Sequence, residues 1–127
     1  MQLRIARHTL NLKPIIDFYT RILGLNVLGE FTNHAGYDGV FLGIQHLNWQ
    51  LEFTTTGESV DHQFDEDDLL VFYPESEADF NEIIVRIEKN NIKKIAAKNP
   101  YWQENGITIK DPDGYRIVIS PLKLSKQ

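Results

Sequence analysis

The 127-residue chain contains no cysteine, which excludes disulfides and any thiolate ligand or nucleophile. The segment that follows Met1 has no apolar run long enough for a signal peptide or a membrane span. Together these two absences predict a cytoplasmic protein without a membrane partner. Lys and Arg number 13 against 18 Asp and Glu, and the resulting net charge of −5 argues against a nucleic-acid partner.

Motifs for common catalytic chemistries are also absent. The chain has no Gly-rich phosphate-binding loop, and no Ser or Thr stands in a nucleophile elbow. What is present is a globular composition, with 42% apolar and 24% charged residues in a chain long enough for one core. We therefore predict one domain over residues 1–127.

The first half of the chain predicts a strand, a helix and three more strands. Asn11 is placed to cap the helix, and Gly24 is placed to end it. Apolar residues recur between them at i, i+3, i+4, i+7 and i+8, which is one stripe of a helix. The stripe is formed by Ile15, Phe18, Tyr19, Ile22 and Leu23. Strands are predicted at 3–9, 25–31, 39–44 and 49–55.

The second half repeats this plan. A buried-type strand at 69–73 is followed by a helix at 77–90, which Ser76 caps. Further strands are predicted at 92–97, 106–110 and 115–120, with a loop at 99–105. The pattern therefore predicts an internal repeat, with a first module over about 1–57, a linker over about 58–67 and a second module over about 68–123.

A tight turn at Asp111-Pro112-Asp113-Gly114 joins the last two strands. Pro presets φ at the second position, Asp at the first position can accept from the backbone ahead, and Gly suits the fourth position of a type I turn. The segment therefore predicts a β-hairpin that closes the second module.

The duplicated plan resembles the vicinal oxygen chelate superfamily, which includes glyoxalase I, extradiol dioxygenases, fosfomycin-resistance thiol transferases and bleomycin-binding proteins. The resemblance is carried by three segments in order, namely 17–25, 50–53 and 111–117. It implies an α+β fold of two βαβββ modules whose mixed sheets curl around a central cavity. It also implies a small-molecule ligand and a homodimer.

The resemblance also implies four metal-ligand positions, which fall on Arg4, Glu52, Asp68 and Val118. A guanidinium only donates hydrogen bonds and stays protonated, and Val118 has no donor atom, so glyoxalase I activity is not expected. His8 lies on the same strand face as Arg4 by period-2 counting. An alternative set of His8, Glu52 and Asp68 could hold Mn, Fe, Ni or Zn in a divergent lyase, thiol transferase or dioxygenase.

Period-2 counting predicts which side chains face the cavity. The strand residues of this set are Arg4, His8, Gln50, Glu52, Asp68, Leu70, Arg116 and Val118. Aromatic walls are expected from Tyr37 and Phe41 in the first module and from Tyr101 and Trp102 in the 99–105 loop. Buried charges need partners, so Arg4 could pair with Glu52 or Asp68.

Three functions remain open at this point. The first is a metal-free protein of the bleomycin-resistance type, which binds a small amphipathic or aromatic molecule. The alternative is the metal-dependent enzyme that uses His8, Glu52 and Asp68. The third is an accessory domain whose cavity is closed by ion pairs and binds nothing.

Overall fold

The computed structural model describes residues 1–123, so the last four positions of the predicted domain lie outside the described residues. The chain divides into two compact units, the first ending at His62 and the second beginning at Gln63. This boundary falls inside the predicted linker. Across residues 1–123 no helix has both the length and the apolar character needed to cross a membrane.

The first unit is a four-stranded sheet with a helical segment after its first strand. Its elements are β1 (Leu3–His8), α1 (Leu12–Asp17), a π-helical segment (Phe18–Ile22), β2 (Asn26–His34), β3 (Tyr37–Gly43) and β4 (Trp49–Thr55). The strand order is β1-β4-β3-β2, in which β1 runs parallel to β4 and the other pairs are antiparallel.

The predicted helix is confirmed at both ends. The Asn11 side chain accepts from the Lys13 N–H, and Gly24 has the positive φ of 78° that ends a helix without a Cβ penalty. Its second half widens to π geometry where the Thr20 hydroxyl donates to the Ile16 carbonyl at 2.7 Å. The predicted apolar stripe is buried in full and packs on one face of the sheet.

The second unit is a three-stranded sheet with two helices. Its elements are β5 (Leu69–Phe72), α2 (Glu77–Lys89), α3 (Pro100–Asn105), β6 (Ile107–Lys110) and β7 (Arg116–Ile119). The strand order is β5-β7-β6, with β5 parallel to β7 and β6 antiparallel to it. The predicted α+β class with two mixed sheets is confirmed.

The strand predicted at 92–97 is wrong, because this segment contributes a single bridge from Ile95 to Thr108. The Ala97 N–H is not available for a strand ladder, since it donates to the Gln103 side chain at 2.8 Å. The loop predicted at 99–105 is also wrong. Asn99 caps α3 there, and Pro100 occupies the first turn, where no donor is lost.

In the second sheet, Leu70 does not lie on the face that period-2 counting predicts. Leu69 pairs with Arg116, whereas Leu70 pairs with Ile117. Paired residues of neighbouring strands lie on the same side of a sheet, so Leu70 does not share a face with Arg116. Asp68 precedes β5 and donates its N–H to the Asp65 carbonyl at 3.1 Å, in a turn where period-2 counting does not apply. All four residues of β5 are apolar, and for this reason the sequence does not show which face is which.

The hairpin turn is confirmed. The Asp111 side chain accepts from the N–H groups of Asp113 at 2.9 Å and Tyr115 at 3.0 Å, and its carbonyl accepts from Gly114 at 2.9 Å. Asp111 is 4% exposed, so its carboxylate replaces water for the backbone donors of the turn.

We expect Asp111→Ala to lower the free energy of unfolding by about 2 kcal/mol, because two turn N–H groups lose a charged acceptor. Asp111→Asn keeps an acceptor oxygen at the same place and should cost clearly less. Urea unfolding of both variants measures the difference. If the Ala and Asn variants were equally stable, the two N–H groups would not depend on this oxygen.

Candidate functional site

The sheet of the first unit has two unlike faces. One face is apolar and packs on the helical segment, where the Phe53 and Tyr19 rings lie 5.1 Å apart. Its members Val40, Leu42, Leu51 and Phe53 are 0 to 3% exposed. The opposite face carries charged, polar and aromatic side chains, and we call it the polar face. It is formed by Arg4, His8, Phe31, Tyr37, Phe41, Gln50, Glu52 and Thr54.

Strand register brings the polar face together from distant parts of the chain. Arg4 on β1 pairs with Gln50 on β4, and Glu52 on β4 pairs with Phe41 on β3. His8 lies further along β1 on the same side. With Tyr37, which lies on the same side of β3 as Phe41, the six predicted site residues of these three strands share one surface.

Two phenylalanine rings form the floor of this face, each lying over a glycine of the neighbouring strand. A Cβ on Gly39 would meet the Phe31 Cζ at 2.2 Å, and a Cβ on Gly29 would meet the Phe41 Cδ2 at 3.3 Å. The two ring centroids are 5.7 Å apart. A side chain at position 39 would overlap the Phe31 ring, and one at position 29 would crowd the Phe41 ring, so each glycine lets a ring lie close to the strand backbone.

Arg4 is held over this floor by two contacts. Its guanidinium carbon lies 4.4 Å from the centroid of the Phe41 ring, within the range of a cation–π interaction. Its Nε and Nη2 atoms both donate to the Gln50 Oε1, at 3.3 and 3.0 Å. The side chain is otherwise exposed. A fixed cation therefore lies over the Phe41 ring of the apolar floor.

Glu52 is partly buried on the same face. The predicted ion pair between Arg4 and Glu52 is not formed, because Arg4 donates to Gln50 on its own row of the sheet. Within residues 1–123 the Glu52 carboxylate has no hydrogen bond or ion pair of its own. A partly buried carboxylate without a partner is costly, so it is a group that a ligand could satisfy.

His8 is committed to the segment that follows β4. Its Nε2 lies 3.2 Å from the Thr56 Oγ1, and its backbone carbonyl lies 2.7 Å from the Nε2 of His62. These contacts tie the end of the first unit back to β1. They also engage the ring nitrogen that the alternative metal site would use.

The predicted site residues of the second unit lie on separate elements. Arg116 donates to the Ala96 carbonyl at 3.2 Å and lies 3.9 Å from the Glu66 carboxylate, with its side chain 13% exposed. Asp68 is exposed in its turn. Tyr101 and Trp102 lie on α3 instead of the predicted loop, with their rings 4.9 Å apart in an edge-to-face contact.

Comparison with known proteins identifies the family. The model of the YycE-like N-terminal domain matches residues 3–54, and that of the YycE-like C-terminal domain matches residues 67–120. The uncharacterized protein YycE of Bacillus subtilis (strain 168) is 43% identical over 118 residues, which cover 92% of this chain and 85% of that protein. The chain belongs to the YycE-like family.

Solved structures agree with this assignment. A crystal structure of YycE from Bacillus subtilis, a protein of unknown function described as a candidate glyoxalase/fosfomycin resistance protein, has a TM-score of 0.88 at 41% identity. The match covers 98% of this chain and 92% of the YycE chain. The trypanothione-dependent glyoxalase I of Leishmania major has a TM-score of 0.73 at 23% identity, with 94% and 85% covered. The fosfomycin resistance protein FosX of Mesorhizobium loti has a TM-score of 0.70 at 13% identity, with 95% and 90% covered. The last two likenesses show the fold alone.

These comparisons confirm the predicted membership in the vicinal oxygen chelate superfamily. This YycE-like protein does not carry the donor set that a metal would need at the four expected positions. Arg4 offers only hydrogen-bond donors, and Val118 is completely buried without a donor atom. Within residues 1–123 no three side chains of His, Cys, Asp or Glu form a group that could hold a metal ion.

Phe31 belongs to the polar face although its sequence position did not predict it. The signal that could have found it is the pair of glycines at positions 29 and 39, since a glycine inside a strand marks a close approach of another group. The same signal applies to Phe41, which was predicted as an aromatic wall and lies on the floor of the face.

We expect Gly39→Ala to displace the Phe31 ring, because the added methyl group would overlap it. The variant should lose about 1 to 3 kcal/mol of unfolding free energy, as overpacked sites do. Gly29→Ala is the graded comparison, since its Cβ would meet the Phe41 Cδ2 at 3.3 Å, a tight contact that a small shift of the ring relieves, and it should cost clearly less than Gly39→Ala. Urea unfolding and the aromatic NMR resonances of Phe31 measure the effect. An unchanged Phe31 spectrum in Gly39→Ala would show that the ring does not lie over this glycine.

Proposed function

We propose that this YycE-like protein is a metal-free member of the glyoxalase/bleomycin-resistance type, which binds a small amphipathic or aromatic molecule on the polar face of its first unit. One observation carries the proposal. Two partly exposed phenylalanine rings lie over glycines of the sheet, with the Arg4 guanidinium over one of them and Glu52, whose carboxylate has no partner within residues 1–123, beside that ring. Apolar floors with a few oriented polar groups are the usual composition of small-molecule sites.

The aromatic floor favours a flat ligand over a bulky one. The Phe31 and Phe41 rings approach within 5.7 Å of one another, and glycines beneath them keep them close to the backbone. Because Arg4 lies over Phe41, a flat aromatic group can stack on Phe31 and contact the part of Phe41 that stays exposed, without a change in the sheet. Tyr37 lies at the end of the same face and is 46% exposed, so it can contribute an amphipathic wall.

The donor chemistry of this chain favours binding without a metal. Arg4 and Val118 replace two ligands, and His8 is engaged by Thr56. Among the described residues, no group of three side chains suited to a metal supports the alternative enzyme that uses His8, Glu52 and Asp68. The accessory-domain hypothesis requires a face closed by ion pairs, whereas Arg4 donates to a neutral amide.

One further proposal concerns the domain, and two predictions concern assembly and location. We propose that residues 1–127 act as one functional domain in which the first module supplies the ligand contacts described above. Homodimer formation and a cytoplasmic location stay predictions from the superfamily resemblance and from the composition.

We expect the purified protein to contain no stoichiometric metal, because two ligand positions are lost. Incubation with manganese, iron, nickel or zinc followed by desalting and elemental analysis is the measurement, with a Glu52→Ala sample in parallel. A stoichiometric metal that is retained by the wild type and lost in Glu52→Ala would overturn the metal-free proposal and restore the enzyme hypothesis.

We expect aromatic or amphipathic small molecules to shift the NMR resonances of Phe31 and Phe41 and to leave those of α2 unchanged. Phe41→Leu should weaken binding by about tenfold, because it removes one stacking partner while keeping an apolar side chain. Val85→Ala, an exposed apolar position on α2, is the control and should bind as the wild type does. Equal affinity in Phe41→Leu would exclude this face as the binding surface.

A further inference from the structure

We propose that Arg4 is a carboxylate-binding group, so that the ligand of the polar face is an aromatic monocarboxylate. The inference rests on the proposed function, because it identifies the chemical class of the molecule that the same face binds. It follows from the donor geometry of Arg4, from the charge balance around it and from the position of the two rings.

The guanidinium of Arg4 has one edge in use and one edge open. Nε and Nη2 form the edge that faces Gln50, and both donate to its Oε1. Within residues 1–123 the donors of the other edge, on Nη1 and Nη2, have no partner in the chain. Two parallel N–H groups on one edge match the two oxygens of a carboxylate, which is the bidentate geometry that Arg forms most strongly.

The orientation of this edge is set before a ligand arrives. The Phe41 ring contacts one side of the guanidinium plane, and Gln50 fixes its rotation within that plane. A preoriented Arg loses little conformational entropy when it forms further hydrogen bonds. Stacking on a ring and bonding to an amide are contacts that position a cation without neutralising it.

The charge of Arg4 remains uncompensated, unlike the charge of Arg116. Arg116 lies 3.9 Å from the Glu66 carboxylate and is mostly buried, so its charge is matched within the second unit. Arg4 has a neutral partner, and the carboxylate of Glu52 is not bonded to it. An anion that binds Arg4 would therefore gain a charge-assisted pair that the chain does not already supply.

The neighbouring groups specify what is attached to the carboxylate. A ligand whose carboxylate meets Arg4, which lies over Phe41, can place its apolar part on Phe31, whose ring centre is 5.7 Å from that of Phe41. Glu52 lies on the next row of the same face and would repel a second negative charge there. These two conditions favour one aromatic ring and one carboxylate over a dicarboxylate.

Three probes with the same skeleton test the proposal. They are 3-phenylpropanoate, its neutral amide and 3-phenylpropylamine, each titrated into the full-length protein and followed by the NMR shifts of Phe31 and Phe41. We expect the carboxylate to bind about tenfold more tightly than the amide, because it adds hydrogen bonds between charged groups. Its affinity should fall with added salt, whereas the affinity of the amide should not.

Variants of neighbouring positions separate a specific role for Arg4 from general charge. Arg4→Gln should bring the affinities of the carboxylate and the amide together. Gln50→Glu should have the same effect, because a carboxylate at this position would pair with Arg4 and compete with the ligand. Arg21→Gln is the matched control, since it removes one exposed positive charge from the helical segment of the same unit and should leave the preference for the carboxylate unchanged.

The outcomes distinguish this inference from the proposed function. If the amide or the amine shifts Phe31 and Phe41 at least as strongly as the carboxylate does, the face binds aromatic molecules but Arg4 does not select a carboxylate. If none of the three probes shifts these rings, both proposals fail. An unchanged carboxylate preference in Arg4→Gln would also overturn the role of Arg4.

Discussion

The parallel pairing of β1 with β4 is the interaction on which the polar face depends. It joins residues 46 positions apart and aligns β1 from Leu3 to His8 with β4 from Trp49 to Thr54. A parallel pair needs a long connection between its strands, and the capped helical segment after β1 begins that connection. The segment buries the opposite face of the sheet, so that one face remains for polar and aromatic groups.

On this face, side-chain contacts occur at positions where the superfamily resemblance implies metal ligands. Where the superfamily resemblance implies a metal ligand, Arg4 presents a guanidinium that lies on Phe41 and bonds to Gln50. Glu52 is retained, but its carboxylate has no cationic partner among residues 1–123. A set with one cation, one anion and two aromatic rings can orient an organic molecule through hydrogen bonds and stacking.

The two sheets show how a repeated plan diverges. The first sheet has four strands, whereas in the second the segment around Ile95 forms only one bridge. Arg116 is paired and largely buried, and Val118 is completely buried, so these positions of the second sheet serve structure. Arg4 and Glu52 on the polar face of the first unit, by contrast, form no ion pair within residues 1–123.

The sequence by itself determined the features that depend on local rules. Asn11 and Ser76 cap their helices, Gly24 ends the first one, and the Asp111 turn forms as expected, because each involves residues within a few positions of one another. The family resemblance came from three segments matched in order, and period-2 counting from the ligand positions it implies put Arg4 and Glu52 on one face.

Only the tertiary structure decided the features that depend on partners distant along the chain. The alternation of residues shows which side chains of one strand share a face, but it does not show which face of the next strand lies beside it. The side of the sheet on which Leu70 lies was therefore known only from its register with β7. The partner of Arg4 and the placement of Phe31 over Gly39 also depend on distant residues. The physical reason is that side-chain packing and pairing occur between strands, and the number of residues between two positions does not give their distance in space when they lie on different strands.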